Sequence, residues 1–160
     1  YKSLFKDLSS QNAVGESAYG YMGKHGAGHF VKMVHNGIEY GMMQAIGEGF
    51  EVMKKAEEFE LDLPEISRVY NNGSVIESRL IKCLKSAYDK YGTDLDQVSG
   101  KVSHSGEGEW TVESANKFGV PVENIKQALQ VRIESQKRPS YTGKVGSALR
   151  NQFGGHDVSK

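Results

Sequence analysis

Six side chains of different chemical types recur at helical spacing in the first third of the sequence, each three or four residues from another of the set. They are Lys32, His35, Asn36, Glu39, Tyr40 and Met43. Residues at these spacings share one face of an α-helix, so the six form a continuous stripe. Lysine acts as a base where burial or a nearby cation favours the neutral amine, and glutamate acts as an acid where its surroundings favour the protonated form. This reactive stripe indicates acid–base chemistry, against the alternative of an ordinary solvated helix face.

Apolar residues beside the reactive stripe predict the helix that carries it. Val31, Val34, Ile38, Met42, Ala45, Ile46 and Phe50 recur at spacings that place them on one helix face. We expect this helix to begin after Gly28 and to end near Phe59. Shorter helices are predicted from Pro64 to Asn71, Ser74 to Gly92, Thr111 to Phe118, Pro121 to Lys137 and Tyr141 to Asn151. No strand pattern is evident, so the predicted fold is all-α, a helical bundle around a long central helix that packs Trp110 and Cys83 inside.

Composition argues against several classes of protein. The 160 residues carry 20 basic and 20 acidic side chains, and zero net charge is atypical of general nucleic-acid or membrane-surface binders. Cys83 is the single cysteine, which excludes an intrachain disulfide and a multi-cysteine metal site. His25, His29 and His104 lack ligand-like neighbours, so no metal site is predicted. No apolar run is long enough to cross a bilayer, and a single cysteine suits a reducing compartment, so we expect a cytoplasmic protein.

Glycines upstream of the stripe complete two longer motifs. The pattern Gly23-x-x-Gly26-x-Gly28-x-x-x-Lys32-x-x-x-Asn36 resembles the substrate-side motif of the β-hydroxyacid dehydrogenases. The longer run from Gly26 to Gly41 is similar to the signature of one branch, the 6-phosphogluconate dehydrogenase family. The run Arg150-Asn-Gln-Phe-Gly-Gly-His156 resembles the tail motif of the same family, in which an arginine and a histidine six residues later reach a neighbouring subunit's site. The likeness therefore covers most of the chain from about residue 18 onward.

This resemblance implies an oxidoreductase of the pentose phosphate pathway and of gluconate utilization. The family converts 6-phosphogluconate to ribulose 5-phosphate by oxidative decarboxylation, with NADP or NAD as cofactor. Lys32 is then the general base and Glu39 the general acid. The residues implied to bind substrate are His35 and Asn36 at its carboxylate and hydroxyls, and Tyr40, Arg132, Arg150 and His156 at its phosphate. Asn36 also lies toward the nicotinamide. Arginines suit phosphate because a guanidinium matches two of its oxygens at once.

One loop departs from the family pattern. Longer members carry Lys-Gly-Thr-Gly-Lys-Trp-Thr before the short helix, and its first lysine and its first threonine contact the phosphate. This chain has Ser105-Gly-Glu-Gly-Glu-Trp-Thr111, with Ser105 in place of that lysine and Glu107 in place of that threonine. A carboxylate beside a phosphate is unfavourable unless it points away. Part of the phosphate contact must therefore differ in this chain.

The resemblance also implies how the domains are arranged. The chain is expected to be the C-terminal domain of a two-domain dehydrogenase of the shorter bacterial form. Residues 1–28 end the segment between domains, residues 29–151 form the substrate-binding, catalytic and dimerisation domain, and residues 152–160 form a tail that reaches a neighbouring subunit in a homodimer or higher homo-oligomer. The glycine motif at Gly23 follows no predicted strand, so it is no dinucleotide-binding turn. We expect the Rossmann domain to precede Tyr1 and this chain alone to be inactive.

Two alternatives fit part of the pattern. Another β-hydroxyacid dehydrogenase, acting on a hydroxyisobutyrate or tartronate-type acid, keeps Lys32 and Asn36. It has no need of His35, of Glu39 and Tyr40, or of Arg150 with His156. A non-catalytic helical dimerisation module leaves the stripe on the surface and uses the tail to clasp a partner. Turnover across these acids tests the first alternative, and substitution of Lys32 tests the second.

Overall fold

The computed structural model describes residues 1–158, and the regular structure among them is helical. The helices are α1 Lys2–Leu8, α2 Ala27–Lys55, α3 Leu63–Tyr70, α4 Arg79–Tyr91, α5 Glu107–Phe118, α6 Glu123–Ser135 and α7 Tyr141–Gly154, with a 3-10 turn at Glu57–Phe59. The described residues form no strand, only an isolated bridge between Gln11 and Ser17. The predicted all-α fold is confirmed. None of the described helices is both long and apolar enough to cross a membrane.

The described chain divides into two compact units, and the boundary falls inside α2. The first unit is Tyr1–Lys32, and the second begins at Met33. Within the first unit α1 has no buried residue. The turn that follows is shaped by Asn12, whose side-chain oxygen accepts hydrogen bonds from the backbone N–H groups of Val14 and Glu16. The sequence pattern did not predict α1, because a seven-residue helix with no buried face leaves too short a periodic signal.

The core of the second unit forms where α4 and α7 pack together. The side chains most excluded from solvent at this contact are Leu80, Ile81, Leu84, Ala87 and Tyr88 of α4 with Val145, Ala148 and Leu149 of α7. Met43 and Phe50 of α2 join the same cluster, and α3 packs against α4. Burying one large apolar side chain contributes about 1.5–3 kcal/mol. This core therefore fixes the positions of α2 and α7, which carry candidate site residues.

Side-chain caps determine where three helices begin. The residue before α3, α4 and α7 accepts a hydrogen bond from a first-turn backbone N–H: Asp62, Ser78 and Ser140 respectively. Because Ser78 is the cap, α4 begins at Arg79, and the predicted start at Ser74 is wrong. Val75 and Ile76, which a helix beginning at Ser74 would include, lie in the preceding turn and are exposed.

α2 is the long central helix, but its buried face differs from the predicted apolar face. The helix ends at Lys55, and the residues buried along it are Gly37, Tyr40, Met43, Gly47 and Phe50. Ile38, Met42 and Ala45 of the predicted apolar face are exposed. The glycines explain the difference. A Cβ at Gly37 would lie 2.6 Å from Cγ2 of Thr111, and one at Gly47 would lie 3.0 Å from Cγ2 of Thr142, so α5 and α7 approach α2 there.

α5 is longer than predicted at its N-terminal end. It begins at Glu107, after Gly106 in the left-handed region with a φ of 97°, and not at Thr111. Trp110, expected in the core, is 51% exposed on this helix. Cys83 does pack against the core as expected, and burial raises the pKa of its thiol.

Candidate active site

α2 carries the reactive stripe, whose members differ in exposure. Lys32, the last residue of the first unit, is exposed. In the second unit His35 is exposed, Asn36 and Glu39 are half-buried, and Tyr40 is buried. His35 Nδ1 lies 3.1 Å from Asn36 Oδ1 and 3.8 Å from Glu39 Oε2. The imidazole therefore lies beside both an amide and a carboxylate.

Arg132, in the last turn of α6, stacks on the ring of Tyr40. Its guanidinium carbon lies 3.5 Å from the ring centroid, and its Nη2 donates to the sulfur of Met43 at 3.3 Å. Arg132 is 4% exposed and Tyr40 is 5% exposed. Burial lowers the pKa of Arg132 to about 10, Tyr40 opposes that shift, and Arg150 adds to it. Arg132 therefore keeps its positive charge at neutral pH although it is buried.

Contacts between α2 and α5 fix the ring of Tyr40. A Cβ at Gly108 would lie 2.6 Å from the ring carbon Cδ2 of Tyr40, so the helix backbone itself lies against the ring. One turn later the Thr111 hydroxyl lies 2.8 Å from the carbonyl oxygens of Met33 and Glu107, to which it can donate. The ring of Tyr40 is held between α5 and Arg132. Neither Gly108 nor Thr111 was predicted as a site residue, because the sequence pattern began this helix at Thr111 and left Gly108 in the preceding loop.

Arg150, near the end of α7, brings a second guanidinium to the same place. Its Nη1 donates to Oγ of Ser103 at 2.5 Å. Burial lowers the pKa of Arg150, and the nearby Tyr40, Glu39 and Glu107 oppose that shift. The family resemblance implied that Arg150 serves a neighbouring subunit. In the single described chain Arg150 lies within electrostatic range of its own chain's Tyr40 and Arg132, so one chain supplies both arginines of the cluster.

The contacts of His156 are with the end of α7. The side-chain amide of Asn151 donates to the backbone oxygen of His156 at 2.8 Å, and a Cβ at Gly154 would lie 2.9 Å from the imidazole carbon Cδ2. Two residues further on, the oxygen of Val158 accepts a hydrogen bond from the backbone N–H of Ser99 at 2.8 Å. The described part of the tail, up to residue 158, therefore folds back on its own chain, and these contacts do not join His156 to the two arginines.

The four residues Glu39, Tyr40, Arg132 and Arg150, called here the arginine cluster, can bind an anion beside a carboxyl group. Guanidinium groups donate paired hydrogen bonds to phosphate or carboxylate oxygens, and they do so most strongly where water is excluded. The phenol hydroxyl of Tyr40 supplies a further donor. No group of three histidine, cysteine, aspartate or glutamate side chains that could hold a metal ion occurs among residues 1–158. The arrangement suits an anionic substrate end next to a proton donor or acceptor.

Comparison with known proteins shows which protein family the chain resembles. Residues 28–153 match the family model for 6-phosphogluconate dehydrogenase, C-terminal domain. The chain is 46% identical over 157 residues to the Bacillus subtilis protein named "Putative 6-phosphogluconate dehydrogenase YqeC", a match covering 98% of this chain and 50% of that protein. It is 40% identical over 148 residues to a Haloferax volcanii protein named 6-phosphogluconate dehydrogenase, NAD(+)-dependent, decarboxylating, covering 92% of this chain and 49% of that protein.

A human relative is more distant. It is named 6-phosphogluconate dehydrogenase, decarboxylating, and is 34% identical over 167 residues, which cover 99% of this chain and 34% of the human protein. The chain spans about half the length of the first two curated relatives it matches. The helical fold agrees with the matched domain. The chain belongs to the 6-phosphogluconate dehydrogenase family and corresponds to its C-terminal domain.

Proposed function

We propose that this chain is the substrate-binding and catalytic half of a decarboxylating 6-phosphogluconate dehydrogenase. The reaction is the oxidative decarboxylation of 6-phosphogluconate to ribulose 5-phosphate, which we place in the cytoplasm. The observation that carries the proposal is the arginine cluster. Two arginines, one of them buried against Tyr40, lie beside Glu39 on the helix that also bears Lys32. Such a cluster would hold the phosphate end of the substrate, since a phosphate monoester carries close to two negative charges near neutral pH.

The acid–base roles are assigned to two residues of α2. Lys32 would accept the proton of the C3 hydroxyl, and a bound nicotinamide would supply the hydride acceptor for C3. The protonated Lys32 then polarises the new carbonyl while the carboxylate leaves as carbon dioxide. Glu39 donates a proton to C1 of the resulting enediol. The spacing of seven residues between Lys32 and Glu39 supports these two roles, since it places both side chains on one face of α2.

The neighbouring polar residues are assigned to the substrate and the cofactor. His35 and Asn36 would bind the carboxylate and hydroxyls, and the contact between their side chains supports a shared role. Asn36 would also contact the nicotinamide through its half-buried amide. The cofactor is NADP or NAD, held mainly by a nicotinamide-binding domain outside this chain. Comparing kcat/KM for the two cofactors distinguishes them, and the Haloferax volcanii relative is named as NAD(+)-dependent.

We further propose that the chain works as a homodimer or higher homo-oligomer with exchanged tails. Support comes from an exposed seam on α2, made of Ile38, Met42, Ala45, Gly49 and Val52. Their spacing of four, three, four and three residues is typical of helices that pack against another helix. The seam borders a groove of about 490 Å³ that Val75 and Ile76 also line. Contiguous exposed apolar residues of this kind often mark an interface. In the exchanged form the tail after α7, with His156, would serve the neighbouring site, while Arg150 stays in the arginine cluster of its own chain.

Substrate turnover tests the proposed function. The protein to assay is the full-length protein, meaning this chain together with the nicotinamide-binding domain that the proposal requires. We expect reduction of the cofactor and release of carbon dioxide with 6-phosphogluconate, and at least a hundredfold lower kcat/KM with hydroxyisobutyrate or tartronate-type acids. Equal or better turnover of one of those smaller acids would assign the chain to another β-hydroxyacid dehydrogenase activity.

A further inference from the structure

Glu107 lies at the edge of the arginine cluster, at a position fixed by the backbone. It is the first residue of α5, directly before Gly108, whose backbone lies against the ring of Tyr40. Its carbonyl oxygen is 2.8 Å from the hydroxyl of Thr111, which bridges α5 to Met33 of α2. The start of α5 therefore cannot move away from Tyr40 without breaking these contacts, and Glu107 stays beside the cluster.

The carboxylate of Glu107 is also held in place. The hydroxyl of Ser105 donates a hydrogen bond to its Oε2, and the side chain is half-buried. Glu107 lies within electrostatic range of Arg150, as Glu39 does. The two guanidinium groups of the cluster are therefore opposed by Glu39 within it and by Glu107 at its edge, and an incoming anion meets the charge of Glu107 as well.

We propose that Glu107 is a specificity-determining residue that weakens the binding of a doubly charged phosphate end relative to an uncharged end. This inference rests on the proposed function, because it takes the arginine cluster as the phosphate site. Glu107 acts by charge alone. It repels the phosphate dianion and competes with it for Arg150, while a hydroxyl in the same place meets little repulsion. The chain therefore binds phosphorylated sugar acids less tightly than its two arginines would allow, and discriminates less against unphosphorylated sugar acids.

The test compares two glutamates that start the same helix. Glu107 and Glu109 both lie in the first turn of α5, so the helix dipole stabilises both carboxylates. Glu109 differs in being exposed and in making no described contact with the cluster. Glu107→Gln removes the charge and keeps the size and a hydrogen-bond acceptor for Ser105. In the full-length protein we expect Glu107→Gln to lower KM for 6-phosphogluconate roughly tenfold with kcat changed less than twofold. The inhibition constant of gluconate should stay within twofold. Glu109→Gln should change neither.

Arg132→Met separates this inference from the proposed function. If Arg132→Met raises KM for 6-phosphogluconate while Glu107→Gln leaves it unchanged or raises it, the cluster binds phosphate but the role given to Glu107 is wrong. An equal fall in KM for 6-phosphogluconate with Glu109→Gln would also overturn the inference, because it would show a general charge effect. If Arg132→Met leaves KM unchanged, the phosphate site itself is misplaced, and the inference falls with the proposed function.

Discussion

Replacing Gly108 by alanine tests how the site is built. The new Cβ would lie 2.6 Å from Cδ2 and 3.1 Å from Cζ of Tyr40, far closer than carbon atoms approach without repulsion. The ring cannot simply retreat, since Arg132 lies 3.5 Å from its centroid on the cluster side. The substitution should therefore displace the stacked pair, or push α5 away from α2.

Two opposing effects determine how much Gly108→Ala changes the free energy of unfolding. Alanine is favoured over glycine inside a helix by about 1 kcal/mol. Forcing an extra methyl group into a packed contact costs about 1–3 kcal/mol. The free energy of unfolding should therefore fall by roughly 0–2 kcal/mol. Displacing a buried guanidinium from its anion should cost about 1.5 kcal/mol of binding, which corresponds to roughly a tenfold higher KM for 6-phosphogluconate.

A double-mutant cycle provides the assay. Urea unfolding of the 160-residue chain gives the stability, and kinetics of the full-length protein give KM. In a Tyr40→Leu background the shorter, flexible side chain leaves room, so adding alanine at position 108 should no longer destabilise the chain. If Gly108→Ala alone is as stable as the wild type and keeps its KM, α5 does not position Tyr40 as described.

Three further predictions concern packing, pH and assembly. Gly143→Ala should destabilise the chain by more than about 3 kcal/mol in urea unfolding, because its Cβ would lie 2.8 Å from the backbone carbonyl carbon of Gly100, which cannot rotate away; a folded variant of normal stability would contradict this packing. Burial raises the pKa of Tyr141 to about 12. The stability that its neutral phenol contributes is present below pH 10 and should be lost as the pH rises toward 12, and Tyr141→Phe should flatten that loss. Met42→Glu should shift the full-length protein to monomers in analytical ultracentrifugation, since it places a charge in the exposed seam; an unchanged oligomer would move the interface elsewhere.

Much of the fold follows from local sequence signals, and the errors have a common cause. The long helix and the all-α class follow from apolar periodicity and from the stop signals around Gly92 and Gly119. The buried face of α2 could not be predicted from hydrophobicity, because two glycines on that face, Gly37 and Gly47, admit α5 and α7. The exposed Trp110 has the same origin, since α5 is oriented by its close backbone contacts with α2 and not by its largest apolar side chain.

In the candidate site too, some residues could be predicted from the sequence pattern and others could not. Helical spacing alone places the members of the reactive stripe together, because they lie on one helix. Arg132 and Arg150 come from helices far along the chain, so their approach to Tyr40 depends on tertiary packing and was implied only by the family resemblance. The supporting contact of Gly108 was not predictable, because no pattern in one helix shows which ring will lie against it.

Substitution of Lys32 tests the central claim, that this helical chain supplies the catalytic groups. Lys32→Met in the full-length protein should lower kcat for 6-phosphogluconate by about 10²–10⁴-fold, the usual contribution of a general base. Lys24→Met, at an exposed lysine of the same unit, should leave kcat unchanged. Both variants should have the same midpoint of urea unfolding as the wild type. Turnover by Lys32→Met within tenfold of the wild type would contradict the claim and favour a non-catalytic role for the chain.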